Sequence, residues 1–299
     1  MSFQLAPWVV PTILSAVILG FYDITRKHAV NGNSVMPVLF ISTLSGCAAV
    51  AATSFFASRF HEVFSLNAHQ LGLIWLKSLI VASSWVCAYY AMRSLPISIA
   101  SPVRASAPLW TFLGSLLLYH EIPTIVQAGG MLLIFAGYFA FSVIGKLEGF
   151  SLRHKGMLLI FAATLLCAAS ALYDKYLLNV LAISHTPLQF HFALDLCVIL
   201  AAAWGIRCIY SKARTPFVWK WSIIATGVLL VAADNLYFYA LTVPDVKISI
   251  LSLIRRSGCI ISFSFGSLFF KDSRLKAKAA ALILILAGVA LLTLKFNGA

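Results

Sequence analysis

Long apolar stretches separated by short polar clusters run the whole length of the chain. They cover approximately residues 8–29, 35–57, 71–92, 97–119, 125–144, 157–178, 187–209, 220–241, 246–270 and 277–294. A helix needs about 20 mostly apolar residues to cross roughly 30 Å of hydrocarbon, so each stretch predicts one membrane span. The breaks carry turn chemistry: Asn31-Gly32-Asn33-Ser34, the polar run Arg59–Gln70, Ser94-Leu95-Pro96, Ile122-Pro123 and Lys212–Pro216. Connections this short predict a compact helical bundle and not a membrane anchor carrying a soluble domain. Residues 1–6 lack the basic region and cleavage site of a secretory signal, and Trp8 opens the first span directly.

The pattern repeats. Phe21-Tyr22-Asp23 returns as Leu172-Tyr173-Asp174 at an offset of 151, and Ala136-Gly137 returns as Ala287-Gly288 at the same offset. Gly114-Ser115-Leu116 returns as Gly266-Ser267-Leu268 at 152, while Tyr89 and Pro96 match Tyr237 and Pro244 at 148. The common spacing divides the chain into two repeats of five spans, residues 1–146 and 147–299. Five is odd, so the second repeat enters the membrane upside down relative to the first. The expected fold is therefore an all-α polytopic membrane protein, ten transmembrane helices arranged as two inverted five-helix repeats. Folds of this kind are typical of secondary transporters, whose substrate site lies at the repeat interface near the midplane.

Ser98–Gly137 contains Ala100-Ser101, Pro108, Gly114, Glu121 after a run of leucines, Gln127, and Gly129 through Gly137. This resembles the EamA domain of the drug/metabolite transporter superfamily, whose ten-span members carry two such domains. The second copy departs from that pattern. Lys271-Asp272 follows Phe269-Phe270 where the family usually has Gly-Glu, and Gly258 stands near the place of the fourth-span proline. The resemblance implies the fold and leaves the substrate open.

Composition agrees with a bilayer environment. The 299 residues are 61% hydrophobic and 10% charged, with a mean hydropathy of +0.95, against about 45–50% and about 25% for soluble domains. That excludes a soluble enzyme, a nucleic-acid-binding protein and a disordered scaffold. The net charge of +13 fits cytosolic loops facing anionic lipid. On the side bearing the N-terminus lie Arg59, Lys175, Lys247 and Lys295; fourteen Lys and Arg residues lie on the other. The count predicts that both termini face away from the cytosol, whereas the resemblance implies cytosolic termini. The expected location is a bacterial inner (plasma) membrane. The six cysteines are scattered singly, without metal-ligand spacing, and predict neither disulfides nor zinc.

A charge at the bilayer centre costs about 2.5–3.5 kcal/mol on insertion scales, so each embedded charge is a functional suspect. Arg104 lies in the fourth span and Arg255-Arg256 in the ninth, with Arg104 and Arg256 one repeat offset of 152 apart. Ser101 and Arg104 share a helix face with Pro108, as Ser252 and Arg256 do with Ser249. Two such faces meeting at the pseudo-axis would form a cationic, hydroxyl-lined pocket suited to carboxylate or phosphate oxygens. The plainer alternative is that Asp234, Asp195, Asp23 or Asp174 neutralises these arginines. The resemblance adds weight to the first reading, because the plastid phosphate-translocator branch places basic residues on the same two helices.

Trp85, Tyr89 and Tyr237 are candidate cavity-lining aromatics, packing or interfacial residues otherwise. His191 and Asp195, four apart on one helix, could relay protons or simply bond each other. Tyr22-Asp23 and Tyr173-Asp174 fit interfacial salt bridges or gates. Glu121 is expected to cap the next helix, Lys77 to snorkel, and Pro102 and Pro108 to interrupt the fourth helix. No HExxH, GxSxG or P-loop occurs, so neither an enzyme nor a cofactor is expected.

The function expected is secondary active transport of a small polar, anionic metabolite by alternating access. The partners expected are the metabolite, the lipid bilayer, and protons or a counter-transported anion, but no nucleic acid; the protein would be a monomer or homodimer. The rivals are a proton-coupled exporter of amino acids or amphipathic drugs, and a non-transporting membrane scaffold or lipid-modifying protein.

Overall fold

A computed structural model describes residues 6–94, 103–104, 106–145, 155–210, 216–244, 246–258, 261 and 275–293. The apolar stretches form helices: α1 Val9–Val30, α2 Val35–Phe56, α3 Ala68–Ser94, α4 Ala107–Tyr119 and α5 Ile125–Gly145. They continue as α6 Lys155–Lys175, α7 His185–Tyr210, α8 Trp221–Thr242, α9 Ile248–Arg256 and α10 Leu275–Thr293. No strand occurs among the described residues. Six helical segments there are long and apolar enough to cross a membrane: Val9–Val30, Val35–Phe56, Ala68–Ala88, Lys155–Val180, His185–Tyr210 and Trp221–Thr242. Val10, Leu14, Val17 and Phe21 are exposed along one side of α1, a face suited to hydrocarbon.

Polar clusters between the spans start the helices. Asn67 Oδ1 accepts from the Gln70 N–H (2.9 Å) while Gln70 Oε1 accepts from the Asn67 N–H (3.1 Å). Thr124 and Gln127 repeat the same reciprocal cap at α5 (3.3 and 3.0 Å). The run Arg59–Gln70 is more than a turn. Phe60–Ser65 forms a 3₁₀ helix, held by the Arg59–Glu62 ion pair at 2.7 Å and by buried Val63. Pro108 starts α4 instead of interrupting it, since it sits in the first turn, where a missing N–H breaks no bond. Pro102 and the repeat boundary at 146–147 lie outside the described residues.

The principal packing pairs are α1 with α8, α3 with α6, α2 with α8, α3 with α7, α4 with α6, α1 with α9, and α2–α7, α4–α9 and α5–α10. The set is unchanged when each of the first five helices is exchanged with the one five positions later. Glycines permit the tightest crossings. A Cβ on Gly288 would lie 2.6 Å from the Gly130 carbonyl oxygen, and one on Gly227 would lie 1.8 Å from that of Ser42. Backbone and hydroxyl groups in hydrocarbon must find partners inside the protein. Thr12, Thr43, Ser78, Thr164 and Thr226 therefore donate to the carbonyl four residues back. Ser15 and Ser84 donate across helices to Ala233 and Ala163, each at 2.7 Å.

Candidate functional site

A small cavity of about 30 Å³, room for about one water molecule, lies between α1, α2, α3, α7 and α8. Its wall includes Tyr22, Trp85, Gln189, Phe192 and Asp234. Trp85 thus lines it, and Tyr22 and Gln189 are contributors that periodicity alone did not single out. Gln189 is fixed from two sides: its amide donates to the Val231 carbonyl and its oxygen accepts from Asn235, both at 2.8 Å.

Asp234 is ion-paired with Arg255. The guanidinium also donates to Ser15 Oγ at 3.2 Å and lies 4.1 Å above the Tyr237 ring. Arg255 is therefore charge-compensated within the wall. Tyr237 is buried and does not line the cavity; its hydroxyl donates to Asp174 Oδ2 at 3.1 Å. The other oxygen of Asp174 holds Lys77. Both side chains are almost inaccessible, at 2% for Lys77 and 6% for Asp174, so Lys77 does not snorkel and Asp174 is no interfacial residue. Lys77 sits nine residues after the start of α3, about 14 Å along the axis, and that place inside a long apolar stretch was the signal available in the sequence.

Arg104 has a different environment. It precedes the turn at Ser106 and lies within electrostatic reach of Arg26, Arg256 and Asp23. Arg26 pairs with Asp23 at 2.8 Å and lies 5.0 Å from the Tyr22 ring centre. Arg256 Nη2 donates to Cys167 Sγ at 3.9 Å. Arg26 of α1 thus joins Arg104 and Arg256 in that electrostatic neighbourhood, with Asp23 beside them, although the expectation named only the last two arginines. Ser252 lies half-buried on α9. Ser101 and the Tyr89 side chain lie outside the described residues.

His191 and Asp195 do not bond each other. His191 Nε2 meets the Val63 carbonyl at 2.9 Å, and a carbonyl can only accept, so Nε2 carries the proton. Asp195 accepts from Ser78 Oγ at 3.3 Å. On the face bearing the N-terminus, Glu121 caps α9, not α5. Left-handed His120 (φ 52°) ends α4 and turns Glu121 inward. Its Oε1 accepts from the Ile248 N–H (2.9 Å) and Lys175 (2.6 Å), and its Oε2 from Ser249 Oγ (2.8 Å) and N–H (3.2 Å). Burial pushes this carboxyl's pKa up, but the bonds from Lys175, Ile248 and Ser249 outweigh it and hold the pKa below the ordinary glutamate value. Thr124 takes the capping role at α5 instead.

The EamA-like transporter family matches residues 6–143. The match covers the first half of the chain and is to the domain of the drug/metabolite transporter superfamily. Together with the six long apolar helices it fits a multi-pass membrane transporter. A crystal structure described only as that of a protein superposes at a TM-score of 0.72 with 16% identity, covering 96% of this chain and 95% of that one. At that identity the likeness concerns the fold. No curated protein matches the sequence.

Proposed function

We propose that this EamA-like protein is a secondary active transporter of a small polar anion bearing carboxylate or phosphate. Two inverted five-helix repeats, residues 1–146 and 147–299, would rock about a site beside α3, α4, α8 and α9. The exchange symmetry of the helix packing supports the repeats. One observation supports the anion reading: Arg26 and Arg256 lie within electrostatic reach of Arg104, the three coming from separate helical segments, with Asp23 as the acid among them. Guanidinium groups so placed repel one another, and an anion among them relieves that repulsion while its oxygens take their forked N–H groups.

A thermal-shift screen of the purified protein against phosphorylated, carboxylated and cationic metabolites tests this. A ligand that binds only the folded state raises stability by about 2.7 kcal/mol at roughly one hundred times its Kd. Anions should stabilise the protein, and Arg104→Gln and Arg256→Gln should each abolish that gain without changing ligand-free melting. Trp85 and Phe192 in the cavity wall favour a second reading, a proton-coupled exporter of amino acids or amphipathic drugs. Stabilisation by cations alone would select it.

A further inference from the structure

The anion reading leaves aside a chain of charges that crosses the bundle. Lys77 on α3 is paired with Asp174 on α6, and Tyr237 on α8 donates to the second oxygen of Asp174. Arg255 on α9 covers the Tyr237 ring and pairs with Asp234 at the cavity. The Lys77 ammonium also lies 4.1 Å from the ring centre of Phe192 and 5.2 Å from that of Phe238. Phe192 also lines the cavity, so one ring is in contact with both Lys77 and the cavity wall. A π-helical turn, Tyr176–Val180, begins two residues after Asp174, and such turns concentrate at functional sites.

Stability alone does not account for Lys77 and Asp174. Burying two charges costs several kcal/mol per ion, and well-packed apolar residues of similar volume often serve as well or better. In a bilayer the same pair also burdens insertion. A titratable tie has another use. A proton taken from water by an Asp174 carboxylate oxygen removes its negative charge and leaves Lys77 a buried cation facing two aromatic rings. No other bond forms or breaks. The link between α3 and α6 weakens, and an anion entering the cavity becomes the counter-charge that Lys77 lacks.

We propose that Asp174 is the coupling-proton site of transport, with Lys77 as its internal counter-cation, so that proton and anion enter the interior together. This rests on the transporter reading above. The other charged or titratable groups facing the pair are engaged elsewhere: Asp195 with Ser78 and His191 with Val63 on α7, Asp234 with Arg255, and Lys175 with Glu121. Tyr119 of α4 donates to the Leu172 carbonyl.

Cys87 provides a native reporter. It is half-buried and packs in the α3–α6 seam with Ala88, Ala91, Ile160 and Ala163. Labelling of the purified full-length protein by N-ethylmaleimide is followed at Cys87 by peptide mass spectrometry. It is normalised at each pH to the SDS-unfolded protein, which removes the intrinsic pH dependence of thiols. Normalised labelling should rise several-fold from neutral to mildly acidic pH, while exposed Cys208 stays constant. Asp174→Asn should label at the fast rate at both pH values. The double variant K77M/D174L, which buries no charge, should label slowly at both. A pH-independent wild type, or a double variant that keeps the pH response, overturns the proposal even if Asp174→Asn does not fold. The anion screen reads Arg104 and Arg256 and not this pair. A silent screen with an intact pH response would therefore reject the anion and leave the proton site standing.

Discussion

Glu121 and Glu62 both accept from a basic side chain, yet the two ion pairs differ in consequence. Glu62 stands at an exposed turn, where the hydrogen bond from Arg59 holds its pKa low but water competes for both partners. Glu121 is buried and satisfies two orphan N–H groups of α9 in addition to Lys175. Glu121→Gln should lower stability by about 1–3 kcal/mol, read as a fall in apparent melting temperature, and Glu62→Gln should leave it unchanged. The folded pKa of Glu121 lies below the unfolded value of about 4.3. Its contribution is therefore complete above that pH and is lost as pH falls through the folded value. Glu121→Gln should flatten this acid limb of the melting profile. The residue itself was legible from the family pattern. Its partner was not, because the carboxylate reaches a helix more than 120 residues away in sequence, and spacing encodes only neighbours within a few turns.

At the scale of helices, small residues decide which surfaces meet. Gly129 and Gly130 look equivalent as a sequence pair, but the packing separates them. A Cβ on Gly130 would meet the Gly288 carbonyl oxygen at 2.9 Å, whereas one on Gly129 would meet nothing within 4 Å. Gly288→Ala should cost about 1–3 kcal/mol through overpacking, whereas Gly129→Ala should be neutral or stabilising by up to about 1 kcal/mol through helix propensity. Melting of the two variants side by side checks the difference. The six span-length helices were legible within a few residues because apolar runs of this length have one solution in lipid. The 3₁₀ helix Phe60–Ser65 was not, because its support is tertiary: His191 bonds the Val63 carbonyl from α7.

Across the whole molecule, the exchange-symmetric packing and the asymmetric charge bear on separate properties. Packing pairs α1 with α8 as it pairs α6 with α3, the exchange expected of two copies related by a pseudo-two-fold axis. By the positive-inside rule, the Lys/Arg excess on the side opposite the N-terminus predicts that both termini face away from the cytosol, against the family resemblance. Reporter fusions after residue 299 should be active only outside the cytosol, and those within residues 146–155 only inside it. A cytosolic C-terminal reporter would reverse the assignment.

The amino-acid sequence by itself determined the helical membrane architecture, the repeat offset and the presence of arginines within apolar stretches, because all three are properties of composition and period along one dimension. Which acid neutralises which base was decided only in three dimensions. Arg255 meets Asp234, Lys77 meets Asp174, and Arg104 lies within electrostatic reach of Arg26, Arg256 and Asp23. In low dielectric a charge is governed by its few nearest neighbours, and here those neighbours come from other helices.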